Sequence, residues 1–182
     1  MNSSEAEKIV NSLLDIFILS GNVSLDLRKK GLEKKFKSDN TPVTNGDIEI
    51  NNLLTSKITS LTPNIKIISE ETSANKNNNN LQDFWLIDPI DGTYEYIHGK
   101  EEFTINAALI INKKPVAGII NAPDKKRLFY SFGLSNSFEL NNVSKKKLTC
   151  KKKSKDNEIN AVSYSNNLKP EITAIHKKYN IS

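Results

Sequence analysis

The chain has 182 residues, 37% hydrophobic and 26% charged, with a formal net charge of +5. That is enough for one domain with a sizeable core, or one and a fraction, and the balance is that of a globular protein rather than a disordered or fibrous one. Lys far outnumbers Arg and no aromatics interleave with the basic residues, which argues against a nucleic-acid partner; the runs Lys145–Lys147 and Lys151–Lys153 are expected to be solvated loop.

In chain order, Ile9, Leu13, Ile16 and Phe17 recur at helical spacing over residues 5 to 20, with Ser3 or Ser4 as cap and Gly21 as the stop. Val23, Leu25 and Leu27 suggest a short strand or the tail of that helix. Lys37 to Pro42 is turn-forming. A second helix runs from Asp47 to Leu61 with Ile50, Leu53, Leu54 and Ile58 on one face. Ile65–Ile68 is a short strand that delivers Glu70-Glu71. Residues 75–80 are polar, low-complexity loop. Phe84–Ile87 is a buried strand, and Phe103–Ile111 and Val116–Ile120 form a hairpin through Asn112–Pro115. Leu128–Phe132 and Ser137–Leu140 make another pair around Gly133. Helices first and then consecutive strands predict an α+β class with an antiparallel sheet. Residues 141–156 read as a linker or edge loop, Ile159–Ser163 as a strand and Pro170–Tyr179 as a helix. These last two elements cannot bury their own apolar faces. The expected division is therefore an N-terminal domain over 1–150 and the start of an incomplete second domain over 151–182.

The lone Cys150 excludes an intrachain disulfide and points to a reducing compartment. His98 and His176 have no second ligand at metal spacing, which argues against zinc. No uninterrupted apolar run reaches the ~18 residues of a transmembrane span, and the N-terminus lacks the pattern of a signal peptide. A cytoplasmic location is expected, either free or peripheral at the inner face of the membrane.

The chemistry is concentrated in Asp88-Pro89-Ile90-Asp91-Gly92-Thr93. Two carboxylates three residues apart, a hydroxyl and a glycine supply hard oxygen ligands beside backbone N–H groups, a combination suited to Mg²⁺ and a phosphate. Pro89 and a chain reversal are expected to bring Asp88 and Asp91 together. The Ile90 side chain is expected in the core, its carbonyl facing the metal. Each piece has a plainer meaning by itself: Asp88 and Asp91 can cap a turn, Glu70-Glu71 can be a solvated acidic pair, and Asp47 can cap a helix.

Taken together, Thr41–Asp47, Ile68–Glu71, Trp85–Thr93, Glu95–Ile97, Glu102–Asn106 and Gly118–Pro123 resemble the inositol monophosphatase superfamily, and within it the 3′(2′),5′-bisphosphate nucleotidase branch. The resemblance spans about residues 5 to 180 and is most specific in the middle; Glu102–Asn106 favours the nucleotidase branch. It implies a layered αβαβα sandwich of the sugar-phosphatase type with the second αβ domain largely missing. It implies two or more Mg²⁺ ions, with Glu70, Asp88, the Ile90 carbonyl and Asp91 as ligands. Gly92 and Thr93, with Glu70 and Asp91, would bind the substrate. Asp47, Thr93 and Glu70 would activate the attacking water, and Glu71 would support them from outside the ligand set. The implied substrate is a small nucleotide bisphosphate, 3′-phosphoadenosine 5′-phosphate, with a sugar phosphate as the near alternative.

The sequence departs from the family in three places. The C-terminal Trp-Asp, whose Asp is a ligand to the second metal, is absent. Tyr94 stands where the nucleotidases usually have Lys. Ser163-Tyr164-Ser165 stands where they usually have Ser-Arg-Ser. These departures are expected to weaken or abolish activity of the chain alone. They leave open a complementing C-terminal chain, a homodimer, or a non-catalytic remnant.

Overall fold

The computed structural model describes residues 1–37, 40–72, 81–141, 144–149, 168–179 and 181. The chain divides into two units, Met1–Leu148 and Thr149–Ser182. In the first, the elements run α1 (Ser3–Lys30), β1 (Lys34–Phe36), β2 (Pro42–Thr44), α2 (Asn45–Leu61), β3 (Lys66–Ser69), β4 (Phe84–Asp91), α3 (Thr93–Ile97), β5 (Thr104–Ile111), β6 (Lys114–Ala122), β7 (Arg127–Phe132), β8 (Ser137–Asn141) and β9 (Lys145–Lys147). In the second, α4 (Pro170–Tyr179) carries Ile172, Ile175 and Tyr179 exposed. The strand expected at 159–163, the loop at 75–80, Cys150 and Lys151–Lys153 lie outside the described residues.

Helix α1 is longer than its sequence suggests. Asn2, not Ser3 or Ser4, caps it: its side chain accepts from the Glu5 amide at 3.0 Å while the Glu5 carboxylate accepts from the Asn2 amide at 2.8 Å. Gly21 does not stop the helix. It lies on the buried face, where a Cβ would come within 2.5 Å of Asn121 Nδ2. The helix therefore uses a residue without a side chain to approach β6 closely, and Asn121 Nδ2 donates to the Phe17 carbonyl at 2.7 Å. The true stop is Gly31. An 18-residue window of α1 has a mean hydropathy of 1.3, long and apolar enough to cross a bilayer by length and composition. It contains no unbroken apolar run of that length because Asp15 and several Ser and Asn residues interrupt the helix. Here Val10, Leu13 and Phe17 are fully buried in the core instead.

The seven-stranded sheet has the order β3-β4-β5-β6-β7-β8-β9. It is antiparallel as expected except at one edge, where β3 runs parallel to β4 with Ile67 opposite Trp85. Helices α1 and α2 cover one face, where Trp85, Ile87, Ile105, Leu109, Ile119 and Leu128 form the core with Phe17, Ile50 and Leu54. The β4 run Phe84–Ile87 is not buried on both sides: Leu86 points to the opposite face and is exposed, as is Ile120 of β6. Lys145–Lys147 is a strand rather than a loop. It pairs with β8 at the edge of the sheet, where exposed lysines discourage further strand addition.

Candidate metal and phosphate site

The site forms where three segments leave the secondary structure at the same end of the sheet. The first is the start of α2. Thr44 caps this helix: its Oγ1 accepts from the Asp47 amide at 3.4 Å, and Asp47 Oδ2 accepts from the Thr44 amide at 2.7 Å and the Thr44 hydroxyl at 2.6 Å. Asp47 is thus the third residue of the helix, not its cap. It is buried at 1% exposure. Burial pushes its carboxyl above the ordinary range, against the lowering effect of the Thr44 hydrogen bonds.

The second segment follows β3. Ser69 Oγ donates to Asn51 Oδ1 of α2 at 2.6 Å and accepts from the Glu71 amide at 3.2 Å, while the Glu70 amide donates to the Ile87 carbonyl at 3.1 Å. Glu70 and Glu71 are therefore fixed to both α2 and β4. Lys37 Nζ lies 3.1 Å from Glu70 Oε1 and 2.9 Å from Glu71 Oε1. The turn sequence around Lys37 gave no sign of this role. Glu71 is the more buried of the two, and burial raises its carboxyl despite the Lys37 partner.

The third segment is the end of β4. The strand runs on through Pro89 to Asp91 without reversing, so the expected turn at Pro89 is not what joins the two aspartates. On a regular strand, residues three apart face opposite sides. Asp88 pairs with Asn106 and Asp91 with Thr104, so three steps on β4 match two on β5. This bulge supplies the extra residue that re-aims Asp91 toward the side of Asp88. Ile90 is 1% exposed and faces the core, as expected. Its carbonyl accepts from Thr93 Oγ1 at 3.0 Å, which leaves one lone pair for a cation. The reversal comes at Gly92, with φ of 87°, where a Cβ would stand 2.8 Å from the Glu102 carbonyl. Short helix α3 starts there, and Thr93 Oγ1 also makes a long 3.4 Å hydrogen bond to Asp47 Oδ1.

A cleft of about 290 Å³ is lined by Glu70, Asp88, Ile90, Asp91, Gly92 and Thr93 together with Thr41, Pro42, Tyr94 and Glu95. Every residue expected to hold metal or phosphate lines it, and Asp47 reaches it through Thr93. Among the described residues, no three acidic, His or Cys side chains are drawn together tightly enough to hold a metal ion as they stand. Lys37 supplies the positive charge beside Glu70. The donor set nonetheless fits a hard cation. Asp88 Oδ1 is buried with no hydrogen-bond partner among the described residues. Burial first, and then the Glu70 and Asp91 charges, push the Asp88 carboxyl up to about 7. A buried, unpartnered Asp88 oxygen that feels the Glu70 and Asp91 charges is costly unless positive charge joins it. His98 lies apart from the acidic side chains, its ring on Tyr94 at 4.1 Å and its Nδ1 2.7 Å from the Tyr94 carbonyl.

Comparison with known proteins gives the same lineage as the motifs. Over 145 residues the chain is 34% identical to the 3′(2′),5′-bisphosphate nucleotidase CysQ of Haemophilus influenzae, an alignment covering 79% of this chain and 54% of that protein. It is 41% identical over 103 residues to the protein of the same name from Salmonella typhimurium, covering 56% of this chain and 42% of the relative. The chain thus spans about half the length of the curated relatives it matches. Among solved structures, CysQ from Bacteroides thetaiotaomicron superposes with a TM-score of 0.68 at 24% identity, covering 97% of this chain and 71% of that one, which shows the fold. The model of the inositol monophosphatase family matches residues 11–181, and the chain belongs to that family.

Proposed function

We propose that this protein is a Mg²⁺-dependent phosphomonoesterase that removes the 3′-phosphate of 3′-phosphoadenosine 5′-phosphate, giving AMP and phosphate. The observation that carries the reading is the bulged end of β4. It sets Asp88 and Asp91 beside Glu70, with a buried Asp88 oxygen lacking any partner among the described residues, and turns at Gly92 into the Thr93 hydroxyl.

Glu70, Asp88, Asp91 and the Ile90 carbonyl would hold two or more Mg²⁺ ions, which supply charge neutralisation at the phosphoryl group and lower the pKa of water. Gly92 and Thr93 bind the phosphate: the first N–H groups of α3 have no helical acceptor, and Gly92 keeps the backbone accessible. Thr93 orients the attacking water, and the raised carboxyl of Asp47 behind it takes the proton through the Thr93 hydroxyl. Glu70 assists from the other side. Lys37 holds Glu71 and Glu70 in place between turnovers. Both curated relatives given above are named for the nucleotidase activity, and the Glu102–Asn106 stretch favours the same substrate.

The test is phosphate release by the purified chain from 3′-phosphoadenosine 5′-phosphate and from inositol 1-phosphate, in Mg²⁺ and in EDTA. Weak Mg²⁺-dependent release from the nucleotide is expected, since the departures from the family named above impair this chain, and it is reduced a further ~100-fold or more in Asp91→Asn, which corresponds to about 2.7 kcal/mol of transition-state stabilisation. Release that ignores Mg²⁺ or Asp91 would defeat the proposal. A preference for inositol 1-phosphate would reassign the substrate.

A further inference from the structure

Asn106 sits in β5 directly opposite Asp88 in the strand register. Its Nδ2 donates to Asp91 Oδ2 at 3.3 Å. Its other amide atom, Oδ1, is buried with no hydrogen-bond partner among the described residues, as is Asp88 Oδ1. With the amide placed this way Nδ2 meets the Asp91 carboxylate; turned over, it would set Oδ1 against that carboxylate, an acceptor against an acceptor. Two orphaned buried acceptors on facing residues are costly in a protein interior.

The surroundings of Asn106 explain why a polar group is needed there. On the sheet face away from α1 and α2, Asp88 and Asn106 border a largely apolar groove of about 510 Å³ that includes Leu86, Ile120, Phe129 and Phe138. Asp88 also lines the acidic cleft. Asn106 is therefore the boundary between a carboxylate cluster and an apolar surface. It is neutral, so it adds no repulsion to Asp88 and Asp91, and it donates to Asp91.

We propose that Asn106 is a positioning residue for the acidic cluster: its amide nitrogen orients the Asp91 carboxylate toward Asp88. The inference rests on the metal-site reading above and extends it to a residue outside the expected ligand set. Side chains that orient a ligand typically alter metal affinity by about 10–100-fold when removed.

The test measures Mg²⁺ binding to the full chain by calorimetry and Mn²⁺ binding by electron paramagnetic resonance, so that no turnover is needed. Three variants are compared with the wild type: Asn106→Leu, which keeps the size and loses both polar atoms; Asn106→Asp, which keeps the shape and adds charge; and Asp91→Asn as the ligand control. Melting in EDTA reports folding. The expected result is an opposite response. Asn106→Leu weakens cation binding at least ~10-fold while melting at or above the wild-type temperature, because it removes one orphaned acceptor. Asn106→Asp melts lower without metal, from carboxylate repulsion, yet binds the cation as tightly as the wild type or more so. A purely structural role predicts that both variants lose stability and affinity together, which would overturn the inference. Wild-type affinity in Asn106→Leu, with loss in Asp91→Asn, would overturn it while leaving the metal site intact. Binding that does not depend on Asp91 would remove the metal-site reading and this inference with it. If Asn106→Leu does not fold, the contrast between Asn106→Asp and the wild type, with and without Mg²⁺, decides alone.

Discussion

The acidic cluster makes the metal-free protein sensitive to pH in a direction opposite to that of most carboxylates. The Asp88 carboxyl is raised from 3.8 to about 7, by burial and then by the Glu70 and Asp91 charges. The folded state therefore holds its proton more tightly than the unfolded chain. Stability is unaffected below about pH 4, falls as pH rises from there to about 7, and is flat above. At ~1.4 kcal/mol per pH unit the whole rise is worth about 4 kcal/mol. Solvent still reaches the group and screens the repulsion, so a loss of about 1–2 kcal/mol between pH 5 and pH 8 is expected. For a unit of this size that is a drop of about 2–8 °C in melting temperature. Asp47 and Glu71 are raised too, chiefly by burial, and add in the same direction. The assay is thermal melting in EDTA at pH 5, 6, 7 and 8, repeated with excess Mg²⁺ and with Asp88→Asn. Mg²⁺ should flatten the profile by restoring positive charge to the cluster. Asp88→Asn should remove most of the slope and stabilise the metal-free protein at pH 8. A slope of equal size in Asp88→Asn, or a metal-free protein that grows more stable between pH 5 and pH 8, would refute the electrostatic account of the site.

Two further substitutions test how the site is supported. At Gly46, beside Asp47, a Cβ would stand 2.7 Å from the Tyr96 hydroxyl and 2.9 Å from its ring, and Tyr96 is itself anchored by a 2.6 Å hydrogen bond to the Ser24 carbonyl. Gly46→Ala should destabilise by about 1–3 kcal/mol through overpacking and should lower kcat by separating Asp47 from Thr93; an unaltered melting temperature in a denaturation scan would contradict this. Trp85 Nε1 donates to Thr62 Oγ1 at 3.0 Å in the core. Thr62→Val leaves that N–H without an acceptor and should cost about 1–3 kcal/mol by urea denaturation, with cation binding unchanged because Thr62 lies away from the acidic cleft.

Much of the site is legible in the chain itself because its parts are local. Asp47 marked the start of a helix, although the cap proved to be Thr44, three residues before it. Asp88 to Thr93 is a continuous stretch whose donors and glycine imply a cation and a phosphate. The apolar rows of α2, β5 and β6 fixed those elements by their periodicity. Where the reading failed, a nonlocal contact decided. Gly21 looked like a stop until Asn121 and Pro123 were seen to occupy the space its side chain would take. Lys145–Lys147 looked like loop until β8 paired with it. Asn106 entered only as the end of the Glu102–Asn106 resemblance, since its place beside Asp88 and Asp91 depends on the strand register.

The amino-acid sequence determined the kind of chemistry, because ligand type and backbone permissiveness are properties of individual residues and their near neighbours. It could not determine how those groups meet. Asp88 and Asp91 share a side only because pairing with β5 forces an extra residue into β4; Glu70 joins them because β3 runs parallel to β4, and Lys37, just after β1, meets Glu70. Those placements depend on strand pairing and on the packing of α2 against β4, interactions between residues far apart along the chain, and so only the tertiary structure decided them.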